Sequence, residues 1–235
     1  MGLLQLAAMA LAPCLAIIIF VYWKDNFEKE PLTLLASSFF LGIVSAAPAL
    51  MFSYSIDNFF LQFNLEYPVD KIVMAFFVAG FGEEFSKFIF LYLFPYRSRF
   101  FDEPYDGITY SVMVSMGFAT LENLLYMLSH GSDIIYLRAF TAVPAHASFA
   151  VIMGYFVGLA KFKRNNPLYL FAGLFFAILF HGFYDFFLFL DQHEFMAIGA
   201  FISLILGIYL SLKAIRLHNS LPSMKETIIA DTWSD

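Results

Sequence analysis

Charge is scarce in this chain. Only 14% of its 235 residues are Asp, Glu, Lys or Arg, where a soluble domain carries about a quarter, so a water-facing surface is hard to assemble from it. Cysteine is almost missing. The single Cys14 lies inside an apolar block, which excludes an internal disulfide and leaves a small packing residue. Basic clusters are absent too, which excludes a nucleic-acid surface, and the net charge of −6 argues for no basic partner because much of it falls within apolar blocks and the C-terminal tail. Internal repeats, low-complexity tracts and a soluble domain are likewise missing. The N-terminus has no basic segment, and its apolar block outruns the roughly 7–15 residues of a signal-peptide core. It is expected as a retained helix.

What the chain has in abundance is apolar residues, 61% of the total with 32 phenylalanines among them. They fall into seven blocks: Leu3–Trp23, Leu32–Ile56, Ile72–Phe94, Gly107–Leu128, Ala139–Ala160, Leu168–Leu190 and Phe195–Leu212. A helix crosses a bilayer in about 20 residues. The expected fold is all-α, a polytopic transmembrane helix bundle of about seven spans, with residues 1–219 as the membrane domain and 220–235 as a short cytoplasmic tail. Lys24, Lys29, Arg97, Arg99, Lys161, Lys163, Arg164, Lys213, Arg216 and Lys225 fall on one set of connections, and only Lys71 and Arg138 on the other. Cytoplasmic loops retain positive charge. The N-terminus is therefore expected outside, the C-terminus inside, and loops 57–71, 129–138 and 191–194 outward.

Ionisable residues inside spans are costly and usually mark function. Here they are confined to four consecutive spans: Glu83, Glu84 and Lys87 in the third, Glu122 in the fourth, His146 in the fifth, His181 and Asp185 in the sixth. At about 1.5 Å per residue, Glu83 lies roughly 16 Å, Glu122 and His146 roughly 10 Å, and His181 roughly 13 Å below the outward ends of their spans. One shared site just outside the midplane follows. Four acids against Lys87 cannot all stay ionised in a low-dielectric bundle without protons or a cation. Raised carboxyl pKa values are one solution and a divalent metal is the other. Two histidines and a carboxylate with one position left for water is the usual catalytic zinc set, here Glu122, His146 and His181. Asp185, one turn after His181, is placed to orient that ring or to bind the metal itself, and Glu83 or Glu84 to act as general base. The Glu83–Lys87 pair also reads as a structural clamp, and Asn123 as either an oxyanion donor or a partner for a backbone carbonyl.

The segments GEEFSK (82–87), FATLEN (118–123), RAFTAVPAH (138–146) and HGFYD (181–185) together resemble the PrsW family of bacterial membrane proteases, which make the first cut in an anti-sigma factor. That family is distantly similar to type II CAAX prenyl endopeptidases, with their EExxxR, FxxxH and HxxxN/D pattern. Two departures point to the PrsW branch: Lys87 stands three residues after the second acid where the wider pattern has arginine four after it, and Glu122 replaces a histidine. The resemblance covers roughly residues 1–220. It implies a multi-pass protease of the inner (cytoplasmic) membrane with Glu83, Glu84, His146 and His181 as functional positions, a single-span substrate such as an anti-sigma factor, and metallopeptidase chemistry. The competing reading is an ion- or proton-coupled transporter using the same acids and histidines, although no pair of matching interrupted segments is visible. A third is a scaffold whose polar cluster only locks helix packing.

Overall fold

The structure, a computed structural model, describes residues 2–26, 28–163, 166–190 and 196–220. Among these residues all regular structure is helical: α1 (Leu3–Lys24), α2 (Leu32–Leu61), α3 (Val69–Ile72), a π-helical segment π1 (Val73–Phe81), α4 (Gly82–Leu93), α5 (Asp106–His130), α6 (Ile134–Phe140), α7 (Ala142–Phe162), α8 (Pro167–Phe189) and α9 (Ala197–His218), with a 3₁₀ turn at Pro95–Arg97. Six columns are long and apolar enough to cross a bilayer: α1, α2, α5, α6–α7, α8 and α9. The continuous run α3–π1–α4 supplies a seventh, in keeping with the seven apolar blocks. The last residues of the expected tail, 221–235, and the 191–194 loop lie outside the described residues.

The centre of the bundle is α5 and α7. α5 packs against α7, α2 and α1, while α7 packs against α5, α8 and α9, and α8 lies along π1. With lipid outside, close helix approach depends on small residues at the crossings. Gly107 of α5 meets Gly154 and Gly158 of α7 there, and a Cβ on Gly107 would overlap backbone atoms of both. Large apolar side chains such as Phe40, Leu50, Phe171 and Ile205 point outward instead, as a hydrocarbon-facing surface requires.

Several boundaries differ from the apolar blocks. α2 runs past Ile56 to Leu61 because Phe60 meets the ring of Phe77 in π1, at 5.9 Å between centroids. α9 runs past Leu212 because Ala214, Ile215 and His218 continue its buried face while Lys213 and Arg216 point out. The fifth column begins earlier than expected, as α6, and breaks at Thr141 three residues before Pro144. Proline lacks the N–H that an uninterrupted helix would need, and Pro144 accounts for the break.

The π segment stands directly before the acids of α4. π-helical stretches are uncommon and concentrate at functional sites. Ser53 Oγ of α2 supports the π segment by donating to the Val78 carbonyl at 2.8 Å, and beyond it Ser86 Oγ of α4 donates to the Ser45 carbonyl of α2 at 2.6 Å. These bonds tie α2 to both sides of the acid pair.

Candidate active site

The four ionisable spans converge. Glu84, 1% exposed, accepts a hydrogen bond at Oε1 from Lys87 Nζ at 2.6 Å, and the same oxygen stands 2.8 Å from His181 Nδ1. Lys87 Nζ also stands 3.4 Å from His146 Nδ1 and 3.6 Å from Glu83 Oε2, over the ring of Phe118. His181 Nε2 faces Asp185 Oδ2 at 3.1 Å, one turn along α8, and Phe149 stacks on the imidazole at 5.0 Å. The two imidazole centroids are 5.4 Å apart.

Each histidine therefore has an outer and an inner nitrogen. The outer Nε2 of His146 contacts Glu122 Oε2 at 2.8 Å, and the outer Nε2 of His181 contacts Asp185. Both inner Nδ1 atoms face Glu84 and Lys87. A carboxylate holding the far side of an imidazole is the common way to fix a metal-binding ring. One ligand atom each from Glu83, Glu84, His146 and His181 lies within 4.8 Å of all the others. Glu83 Oε2 is buried and accepts no hydrogen bond. A donor set of two imidazoles and two carboxylates, one with an oxygen to spare, fits a divalent ion of zinc type. Glu122, expected among the ligands, stands instead on the far side of His146.

Sequence reading missed Arg138. Taken as a charge of the outward loop, it is 8% exposed and belongs to the site. Its Nη2 donates to Glu122 Oε2 at 2.6 Å, its Nε to Asn123 Oδ1 at 2.7 Å, and its guanidinium lies over Tyr126. The separate helix α6 turns it inward. Its place at the head of RAFTAVPAH was the available signal. The four acids thus face two cations, a smaller imbalance than the spans alone suggest. Asn123 is turned toward α1, where its Nδ2 donates to the Ala10 carbonyl at 3.3 Å beside Cys14. It links Arg138 to that helix, and Cys14 packs as expected.

Two cavities meet at the cluster. One, of about 390 Å³, is lined by Glu83, Glu122, Arg138, His146, His181 and Asp185 among others. The second, of about 400 Å³, lies between α2 and α5 and shares Glu83 and Glu122 with the first. Glu84 and Lys87 border neither.

Residues 30–212 match the family model described as "PrsW family intramembrane metalloprotease". The chain is 38% identical over 182 residues to Protease PrsW of Geobacillus kaustophilus, covering 77% of this chain and 78% of that one. It is 37% identical over 180 residues to Protease PrsW of Bacillus subtilis, covering 76% and 80%, and 31% identical over 220 residues to Protease PrsW of Halalkalibacterium halodurans, covering 92% and 98%. No solved structure matches the chain. The motifs that converge here fall within the matched region, and the chain belongs to the PrsW family of intramembrane proteases.

Proposed function

We propose that this protease cleaves a single-span membrane protein, an anti-sigma factor by family resemblance, near the outward membrane border, with water activated by Glu83. The observation that carries this is the Glu83 carboxylate, which borders both cavities and keeps a buried oxygen without a hydrogen bond. Glu84 meets Lys87 and His181 at one oxygen and borders neither cavity, which makes it the poorer base and suits it to hold an ion instead.

Glu84, His146 and His181 are the residues that would hold a divalent ion, with Glu122 and Asp185 fixing the two rings from behind. When bound, such an ion supplies Lewis acidity toward the scissile carbonyl. Glu83 takes a proton from the water as its oxygen adds to the carbonyl carbon. It returns that proton to the amide nitrogen as the C–N bond breaks. Lys87 holds the two glutamates side by side, and Arg138 holds Glu122 against His146. The substrate helix has to unwind at the cavity, because helical hydrogen bonds shield its carbonyls and lipid cannot replace them.

Incubating the purified protein with a tagged single-span substrate, with and without a zinc-selective chelator, tests this reading. Specific cleavage is expected, lost on chelation and restored by zinc, with product termini at the outward border of the substrate helix by mass spectrometry. Cleavage indifferent to chelators would sink the metal and leave proton transfer between carboxyls. Ion-dependent uptake into vesicles without cleavage would favour the transporter.

The side of cutting depends on the orientation inferred from loop charge, which burial of Arg138 sharpens by removing a positive charge from the outward loops. In a Cys14→Ser background, Ser132→Cys is expected to react with an impermeant thiol reagent on intact cells, and Ser98→Cys only after permeabilisation. The opposite pattern overturns both the orientation and the predicted cut.

A further inference from the structure

A second group of acids lies away from the protease site, where the 25–31 connection meets the 98–106 connection at the start of α5. Glu30, Asp102 and Asp106 bring one carboxylate oxygen each within 4.8 Å of one another. Glu30 and Asp106 are buried, Asp106 to 1% exposure. Nearby cations are engaged elsewhere: Lys161 Nζ donates to the carbonyls of Tyr96 and Ser98, and Lys29 Nζ to those of Tyr22 and Asp25. Among the described residues, no lysine or arginine makes an ion pair with these three acids.

The orientation of the carboxylates is fixed from outside the cluster. Asp106 Oδ2 accepts from the backbone N–H groups of Asp102 and Glu103 at 2.8 and 2.7 Å, which wraps the DEPYD loop around it. Its other oxygen, Oδ1, is buried and accepts no hydrogen bond. Glu30 Oε2 accepts from the Tyr110 hydroxyl. Carboxylates gathered this closely in a poorly solvated place repel unless a proton or a cation lies among them. Burial, the largest influence, pushes the Glu30 carboxyl above its ordinary range, against the lowering effect of the Tyr110 hydrogen bond.

The geometry points to a binding site for a hard divalent cation, calcium or magnesium, formed by Glu30, Asp102 and Asp106, that clamps the connection before α2 to the N-terminus of α5. The donors are all oxygen, with neither histidine nor cysteine among them, which suits calcium or magnesium and not zinc. Nothing in proteolysis uses these residues, and the distinct donor chemistry separates this site from the histidine-bearing one.

Terbium(III), a luminescent probe for calcium sites, reports on it directly, since Tyr110 touches Glu30 and can sensitise the emission. With the full-length protein in detergent, tyrosine-excited terbium emission is expected to saturate and to be displaced by calcium or magnesium. Asp106→Asn should weaken binding by about tenfold or more, while Glu83→Gln, in the histidine-bearing site, should leave it unchanged. If Asp106→Asn does not fold, the half-buried Asp102→Asn gives the same readout. Emission that ignores the Asp106 and Asp102 substitutions, or follows Glu83→Gln instead, overturns the proposal. So does an absence of saturable binding together with a cation-independent rise in melting temperature in Asp106→Asn, which would mean that the acids share a proton.

Discussion

Glu83→Gln is expected to lower cleavage about 10³-fold, the scale of a lost general base, while the melting temperature of the detergent-solubilised protein stays near that of the wild type. Glu84→Gln is expected to lose activity and stability together. The difference follows from surroundings and not from residue type. Glu83 borders two cavities and makes no hydrogen bond through its buried Oε2, so an amide there costs little in packing. Glu84 is enclosed and receives both Lys87 and His181 at one oxygen. Neutralising it leaves the buried ammonium of Lys87 only the more distant Glu83 carboxylate, at 3.6 Å, and breaking a buried ion pair typically costs about 3–5 kcal/mol. Measuring turnover of a tagged substrate beside thermal unfolding separates the two roles. Full activity in Glu83→Gln, or equal losses of stability in both variants, would remove the division of labour proposed for the pair.

Arg138→Met is expected to destabilise the protein by a similar amount, about 3–5 kcal/mol, and to reduce cleavage by about 100-fold. The guanidinium is the second cation of the site and holds Glu122 at 2.6 Å and Asn123 at 2.7 Å. Without it, Glu122 keeps only His146 for a partner, and loss of a group that orients a functional histidine commonly costs about 10–100-fold in activity. The double variant Glu122→Gln/Arg138→Met distinguishes structure from chemistry. Removing both charges should restore most of the stability, yet activity should stay low because His146 has lost the carboxylate behind it. Recovery of activity along with stability would reduce Arg138 and Glu122 to a packing pair.

The sequence and the structure agree where hydrophobicity and cost decide the outcome. Apolar blocks located all seven traverses, because lipid leaves the chain few other options. Glu83, Glu84, Lys87, Glu122, His146, His181 and Asp185 stood out because charge inside a span is expensive, and the structure gathers all of them. Arg138 escaped the same reasoning because it lies beyond the apolar block that marks its span. Only the short helix α6 and the break at Thr141 carry it inward; Pro144 marks the break, but nothing in the composition shows that a separate helix precedes it. Residue type and depth put Glu122 with the metal ligands, but neither says how it is turned. Which face of His146 it meets depends on how α5 and α7 cross, a matter of glycines at Gly107, Gly154 and Gly158. The π segment was invisible as well: VMAFFVAGF is uniformly apolar, and one kind of helix cannot be told from another there.

That stretch sets the rotational phase of everything after it. In an α-helix each residue turns the chain by about 100°, so a residue gained or lost upstream of Gly82 would swing Glu83, Glu84 and Lys87 toward a different neighbour. The segment touches its surroundings mainly through apolar side chains and the Val78 carbonyl that Ser53 holds. One apolar residue there can stand in for another of similar size. The count of residues is the quantity that lipid-embedded stretch has to conserve, and composition hides it.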